Sequence, residues 1–240
     1  MTSLVRVARV AARLVPFDWR WPEENHALVA AHWARRVAAR PAMFDGRVLM
    51  SCALRVADGA AEAEFFATDY SRLIAFVDHG CPDPAVANAF AMGALVGADG
   101  GFLLGRMAPH TANAGRLYFP CGTPDMADVG PDGTVDLAGS LTREIAEETG
   151  LDPADAAIEP GWTIVRTGGF LAFMRQVRLP MPAEAARARI RAHLAAEERP
   201  ELDDIEIVRD LSGLDPDPSR MPSVVPIYLR DAFATARQPG

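Results

Sequence analysis

The stretch Arg143-Glu144-Ile145-Ala146-Glu147-Glu148-Thr149-Gly150-Leu151 decides how this chain of 240 residues is read. On a helix at about 100° per residue, Glu144, Glu147 and Glu148 stand at i, i+3 and i+4 and share one face. Three carboxylates so close repel one another unless a cation neutralises them. Hard divalent ions such as Mg²⁺ prefer this all-oxygen environment. Ile145 and Ala146 leave the opposite side able to bury, and Arg143 can pair with Glu147 one turn later. Asp136 is placed to cap the helix at its start and Gly150 to end it.

The elements around this helix alternate between strand and helix patterns. Residues 4–14 read as one strand, with Val5 and Val7 on one side and Arg6 on the other. Pro22 opens a helix with acids in its first turn and arginines in its last, and Pro41 stops it. Strands follow at 47–57 and 61–67 around the turn Asp58-Gly59, then a short helix at 71–78. Gly80 to Pro84 forms the expected internal boundary, dividing an N-terminal α+β extension (1–84) from a domain of residues 85–240. A hairpin of 88–97 and 102–107, a short strand at 117–119 and an irregular segment at 120–133 lead to the acidic helix. Strands at 162–166 and 170–179, a helix near 183–198, a strand at 205–208 and a helix near 223–236 complete the order. The mixture indicates an α/β fold around one main sheet.

Composition narrows the function. All 24 basic residues are arginine, which removes a Schiff-base lysine and the lysine of nucleotide-binding phosphate loops. The net charge of −8 with no basic run speaks against nucleic-acid backbones as partners. Cys52, Cys81 and Cys121 are odd in number and form no C-x-x-C pair, so neither a disulfide framework nor a structural zinc site is expected. Arg6, Arg9 and Arg13 interrupt any signal-peptide core, and the longest uncharged run, 84–98, is too short to cross a bilayer. The expectation is a cytoplasmic protein without membrane contact.

Residues 143–151 match, at seven fixed or class-restricted positions, the second half of the Nudix signature, R-E-U-x-E-E-x-G-U, where U is bulky and aliphatic. The chain therefore resembles a Nudix hydrolase. The first half departs from the pattern. Gly122 lies 21 positions before Arg143 where the signature has its glycine at 14, so the loop carries seven extra residues. Val135 stands where the family has its first glutamate, and Asp136 beside it reads as a helix cap.

The resemblance implies an α/β/α sandwich with a mixed sheet and an enzyme that hydrolyses a nucleoside diphosphate linked to another group. Nucleotide sugars, ADP-ribose-like compounds and coenzyme A are the substrate classes, with Mg²⁺ or Mn²⁺ as cofactor. Carried over residue by residue, Glu147 and Glu148 are metal ligands, Glu144 is a ligand or a base acting through water, and Arg143 orients a glutamate. The catalytic set is thus Arg143, Glu144 and Glu148. Glu197, Glu198 and Glu201 are candidates for a further acid. Arg106, Arg116 and Gly122 are the expected substrate-binding residues. Gly115-x3-Phe119-Pro120 agrees in part with an upstream motif of Nudix coenzyme A diphosphatases, with Thr111 in place of that motif's second arginine. His110 is a candidate proton donor, and Cys121 fills space beside the turn. The N-terminal extension covers the substrate pocket or forms a homodimer interface. A Nudix-like sensor that binds a nucleotide without hydrolysing it is the alternative from another class.

Overall fold

A computed structural model describes residues 2–214, 217 and 219–236. In chain order the strands are β1 (Ser3–Val7), β2 (Arg9–Leu14), β3 (Arg47–Ala57), β4 (Ala60–Asp69), β5 (Asn88–Val96), β6 (Phe102–Met107), β7 (Leu117–Tyr118), β8 (Cys121–Gly122), β9 (Ala157–Ile158), β10 (Trp162–Thr167), β11 (Phe170–Arg178) and β12 (Leu202–Val208). The helices are α1 (Arg20–Glu24), α2 (His26–Ala39), α3 (Tyr70–Asp78), α4 (Leu137–Thr149), α5 (Ala183–Ala196) and α6 (Val224–Ala236).

The large sheet runs β1-β10-β11-β5-β6-β12, with β7 on β6, β8 on β5 and β9 on β11. β11 and β5 are parallel and the other neighbours antiparallel, so the sheet is mixed. Side chains alternate between faces along a strand. On the face of β5 that carries Gly93 lies α4, so close that a Cβ at Gly93 would stand 2.6 Å from Ile145 Cδ1. The same face meets α5, whose Ala183 backbone N would lie 2.3 Å from a Cβ at Gly97. The opposite face receives α6 through Phe102, which stacks edge-on against Tyr228 and Phe233. The protein is an α/β sandwich with helices on both faces of its main sheet.

β5 and β6 pair only at Val96–Phe102 and then splay apart. The ladder bonds freed by this split are taken up by β8, which pairs Gly122 with Ala91 and Cys121 with Met92, and by β7, which pairs Tyr118 with Gly105. Backbone groups left by a diverging strand need partners, and the short β7–β8 segment supplies them. It also carries Gly122 to the mouth of the split.

The second sheet has the order β2-β4-β3. Asp58 and Gly59, with φ of 49° and 70°, make the tight turn between its two long strands. Residues 4–14, expected as one strand, divide at Ala8. β1 joins the large sheet on β10, and β2 runs parallel to β4 in the small one. The helix expected from Pro22 begins earlier, at Arg20, and is interrupted at Asn25 between α1 and α2.

Packing is continuous across residues 80–84. Val7, Ala12, Leu49, Ala63 and Phe65 belong to the same buried cluster as Phe173 and Ile145. The Phe65 and Phe173 rings lie 6.1 Å apart, joining the two sheets. Phe65→Ala opens a cavity at this junction and should cost about 3–5 kcal/mol. Urea denaturation followed by tryptophan fluorescence measures it; a loss under about 1 kcal/mol would mean that the junction contributes little.

Candidate active site

α4 forms where the sequence places it. The Asp136 side chain accepts the Gly139 N–H at 2.8 Å, and Gly150 closes the helix in the left-handed region at φ 64°. Leu141 and Ile145 bury against β5, which turns the glutamate face toward the split in the sheet. Glu148 is buried, Glu144 half-buried and Glu147 exposed. Gly122 is needed opposite Glu144: a Cβ there would stand 2.2 Å from Glu144 Oε1.

Burial pushes the Glu144 carboxyl up to about 7; Arg143 partly opposes this, and the charges of Glu147 and Glu201 add to it. Burial raises Glu148 well above the usual carboxylate range, reinforced by Glu144 and Glu201, although the Cys121 backbone N–H donates to it. Glu148 Oε2 is buried with no hydrogen-bond partner. Burial, then the Glu148 charge, likewise drive the Cys121 thiol up, which leaves it protonated and unreactive.

Arg143 does not take Glu147 as its partner. Its Nη1 donates to Asp128 Oδ1 at 2.6 Å and its Nη2 to Asp128 Oδ2 at 3.3 Å, with a further contact to Glu144 Oε1 at 3.4 Å. Asp128 is buried at the end of a 3₁₀ turn, Met126–Asp128, and also accepts the Asp125 backbone N–H, while Asp125 accepts from Ala127. This bidentate clamp fixes the guanidinium beside Glu144. The lengthened loop therefore supplies a residue of the site, one that no local helix rule points to.

A cavity of about 670 Å³ opens over these groups, lined by Gly122, Arg143, Glu144, Glu147, Glu148 and Glu201 among others. Glu201 sits at the start of the β12 ladder, its carbonyl accepting the Ala108 N–H at 2.8 Å. Glu197 instead pairs with His193 at 3.1 Å, and Glu198 does not line the cavity. His110 lines it, as do Tyr118 and Cys121. Among the described residues, no three His, Cys, Asp or Glu side chains stand together closely enough to hold a metal.

The two arginines expected to bind substrate lie elsewhere. Arg106 points to β12, where it contacts Asp203 at 2.7 Å, Asp204 at 3.4 Å and Glu206 at 3.8 Å. Arg116 is exposed and lines an adjoining recess. In their place the cavity holds Arg40, at the end of α2, and Arg199, before β12. Neither has an ion pair among the described residues, while Arg143 is consumed by Asp128. Sequence reasoning missed Arg40, Arg199 and Asp128. The one available signal was that Arg40 and Arg199 each immediately precede a proline at a chain turn.

No protein-family model matches the chain, and no curated relative matches it. Among solved structures, parts of the chain are similar to the MutT protein from Methanosarcina mazei Go1, at 15% identity over 63% of this chain and 96% of that one, TM-score 0.36. A Nudix hydrolase from M. smegmatis, RenU, gives 16% identity, coverage of 63% and 88%, and TM-score 0.35. A bifunctional NMN adenylyltransferase/ADP ribose pyrophosphatase from Francisella tularensis gives 10% identity, coverage of 63% and 41%, and TM-score 0.37. Among the described residues no helix is long and apolar enough to cross a membrane.

The raised carboxyls have a measurable consequence. In the unfolded chain Glu144 titrates near 4.5 and in the folded one near 7. Between these values the folded, metal-free protein binds more protons than the unfolded chain, so its stability falls as pH rises. Glu144→Gln removes that dependence. The Tm of the variant relative to wild type should therefore climb as pH goes from about 5 to about 7.5, read by thermal unfolding in chelator. A constant difference across that range would contradict the burial of this carboxyl.

Proposed function

We propose that the chain is a metal-dependent pyrophosphohydrolase of the Nudix type, acting on a nucleoside diphosphate linked to a second group such as a sugar. The observation that carries this reading is the pair Glu144 and Glu148. Both are drawn into one opening in the sheet against their mutual repulsion, with Glu148 Oε2 unpartnered. A buried carboxylate oxygen without a donor is costly, and a hard cation satisfies it.

The residues fit such a cation in chemistry. The donors are all carboxylate oxygens, and Glu147 and Glu201 are exposed chains at the same cavity, able to swing by rotamer changes. Glu144, Glu147, Glu148 and Glu201 would hold Mg²⁺ or Mn²⁺. When bound, the ion lowers the pKa of a coordinated water and stabilises charge on phosphate oxygens. The protein's own groups do the rest. Asp128 holds Arg143, and Arg143 keeps Glu144 in place. Glu144 acts as a ligand or as a base through water. Arg40 and Arg199, on the cavity wall, offer guanidinium groups to the diphosphate oxygens. A nucleotide-binding module without hydrolysis is the second reading, supported by the lack of a closed three-ligand set among the described residues.

A screen of nucleoside diphosphate derivatives with Mg²⁺ and Mn²⁺ tests the proposal directly, and Glu148→Gln sharpens it. That change replaces a carboxyl whose charged form burial disfavours, so the metal-free protein should unfold at the same temperature or higher. Its turnover should fall by about 100-fold or more, because charge develops where the ligand is lost. A variant that hydrolyses like wild type removes Glu148 from catalysis. A wild type that binds nucleotides and hydrolyses none establishes the sensor.

The arginines give a separate test. Arg40→Ala and Arg199→Ala should each lower kcat/KM by about ten- to a hundredfold, the loss of one charge-assisted hydrogen bond. Arg106→Ala, which only breaks a partly exposed ion network, should leave kcat/KM unchanged. Equal effects in all three variants would deny the cavity arginines a special role.

A further inference from the structure

Beside the carboxylate cavity lies a smaller recess of about 140 Å³. The two share Tyr70, Asn113, Tyr118, Cys121 and Thr123 as a common wall. The recess is therefore continuous with the cavity that Arg40 and Arg199 line. The recess is walled by Leu73 and Ile74 of α3, Phe90 and Met92 of β5, and Phe170 of β11. Into it opens Asn88, the first residue of β5, whose Oδ1 is buried without a hydrogen-bond partner. The backbone of Asn88 is already anchored, its N–H donating to the Gly169 carbonyl at 2.8 Å.

Two physical facts define the occupant. An apolar cavity of about 150 Å³ holds one benzene ring, so this recess has room for a single six-membered ring, and a fused pair would project out of it into the larger cavity. Its walls combine apolar and aromatic side chains with the polar groups of Asn113, Arg116 and Thr123, which suits a flat ring with polar edges. The orphaned Asn88 oxygen calls for a donor, which a hydrocarbon ring lacks.

We propose, on the basis of the hydrolase reading above, that this recess is the subsite for the base of the substrate and selects a pyrimidine over a purine. The ring lies between α3 and the large sheet, and an N–H at its edge donates to Asn88 Oδ1. A site built to hydrogen-bond its ligand rejects analogues that leave the buried group unpaired. The N-terminal segment, through α3, thereby sets specificity for chemistry carried out on α4.

Isothermal titration of the full chain in chelator, with UDP, ADP and inorganic pyrophosphate, reads the proposal without turnover. UDP should bind at least about tenfold more tightly than either of the others, the worth of one well-placed hydrogen bond and a buried ring. Asn88→Leu should reduce UDP to the affinity of pyrophosphate and leave pyrophosphate itself unchanged. It removes an unsatisfied polar atom, so folding is preserved, as thermal unfolding will show. Ile74→Trp fills the recess and should act in the same way. Equal affinities for UDP and ADP, or variants that bind UDP like wild type, overturn the proposal. If pyrophosphate then still binds and diphosphates are hydrolysed whatever their base, the hydrolase stands and only the recess assignment falls. If neither UDP nor pyrophosphate binds and nothing is hydrolysed, both fall.

Discussion

Glu144 and Glu148 are held close together in a place where water cannot fully screen them. Most of the surrounding structure makes sense as a consequence. Burial raises both carboxyls, and each makes the other harder to ionise. Such a pair persists only where packing elsewhere outweighs its cost. Leu141 and Ile145, fully buried against a strand that thins to Gly93, supply that packing from the stripe of the helix next to the two carboxyls. Gly122 leaves room for Glu144, and the splaying of β5 from β6 leaves room for Gly122. A side chain at Gly122 would displace the Glu144 carboxylate, which a Cβ there would meet at its Oε1.

The same constraint accounts for the lengthened loop. Its Asp128 carries the charge that Arg143 needs, so the guanidinium stays beside Glu144 when it could otherwise extend into water. Burying an aspartate is itself expensive. Here the cost is offset by two guanidinium bonds and the Asp125 N–H, which leaves few of its lone pairs unmet. The loop can hold that geometry because it is pinned at both ends to the small sheet. Leu49 N–H donates to the Pro124 carbonyl, Val135 N–H to Ala12 and Leu14 N–H to Gly133. Isolated bridges join Val48 to Asp125 and Arg13 to Thr134.

Much of the fold was legible because its signals are local. Caps at Asp136 and Gly150, the Asp58-Gly59 turn and the hairpin around Gly100 each announce themselves within a few residues. The glutamate face of α4 was legible for the same reason, as spacing on one helix. What could not be read depends on partners distant in sequence. The pattern of residues 4–14 runs unbroken through Ala8, and only the positions of β10 and β4 split it into two sheets. Arg143 had an acid one turn away, yet a bidentate partner 15 residues upstream wins, because two bonds to a buried carboxylate outweigh one exposed helical pair. Arg106 looked available until β12 placed three acids opposite it. Arg40 lies more than 100 residues from the glutamates it faces, and no spacing rule reaches that far.

These misses share a direction. Apart from Arg106 and Arg199, each places something from the first 84 residues, or from the loop docked on them, at or near the carboxylate cavity. Arg40 and Tyr70 line the carboxylate cavity, α3 walls the recess beside it, and the small sheet anchors the segment that presents Asp128. The loop between Gly122 and Asp136 bridges both edges of the small sheet, at Val48 and at Arg13, before it caps α4 at Asp136. The small sheet thus gives the loop a surface to rest on, and the loop links that sheet to α4. That coupling ties the position of Glu144 to the first 84 residues, which also line the carboxylate cavity and the recess beside it. A change in the small sheet should thus be felt at Arg143 through Asp128 without any contact between them.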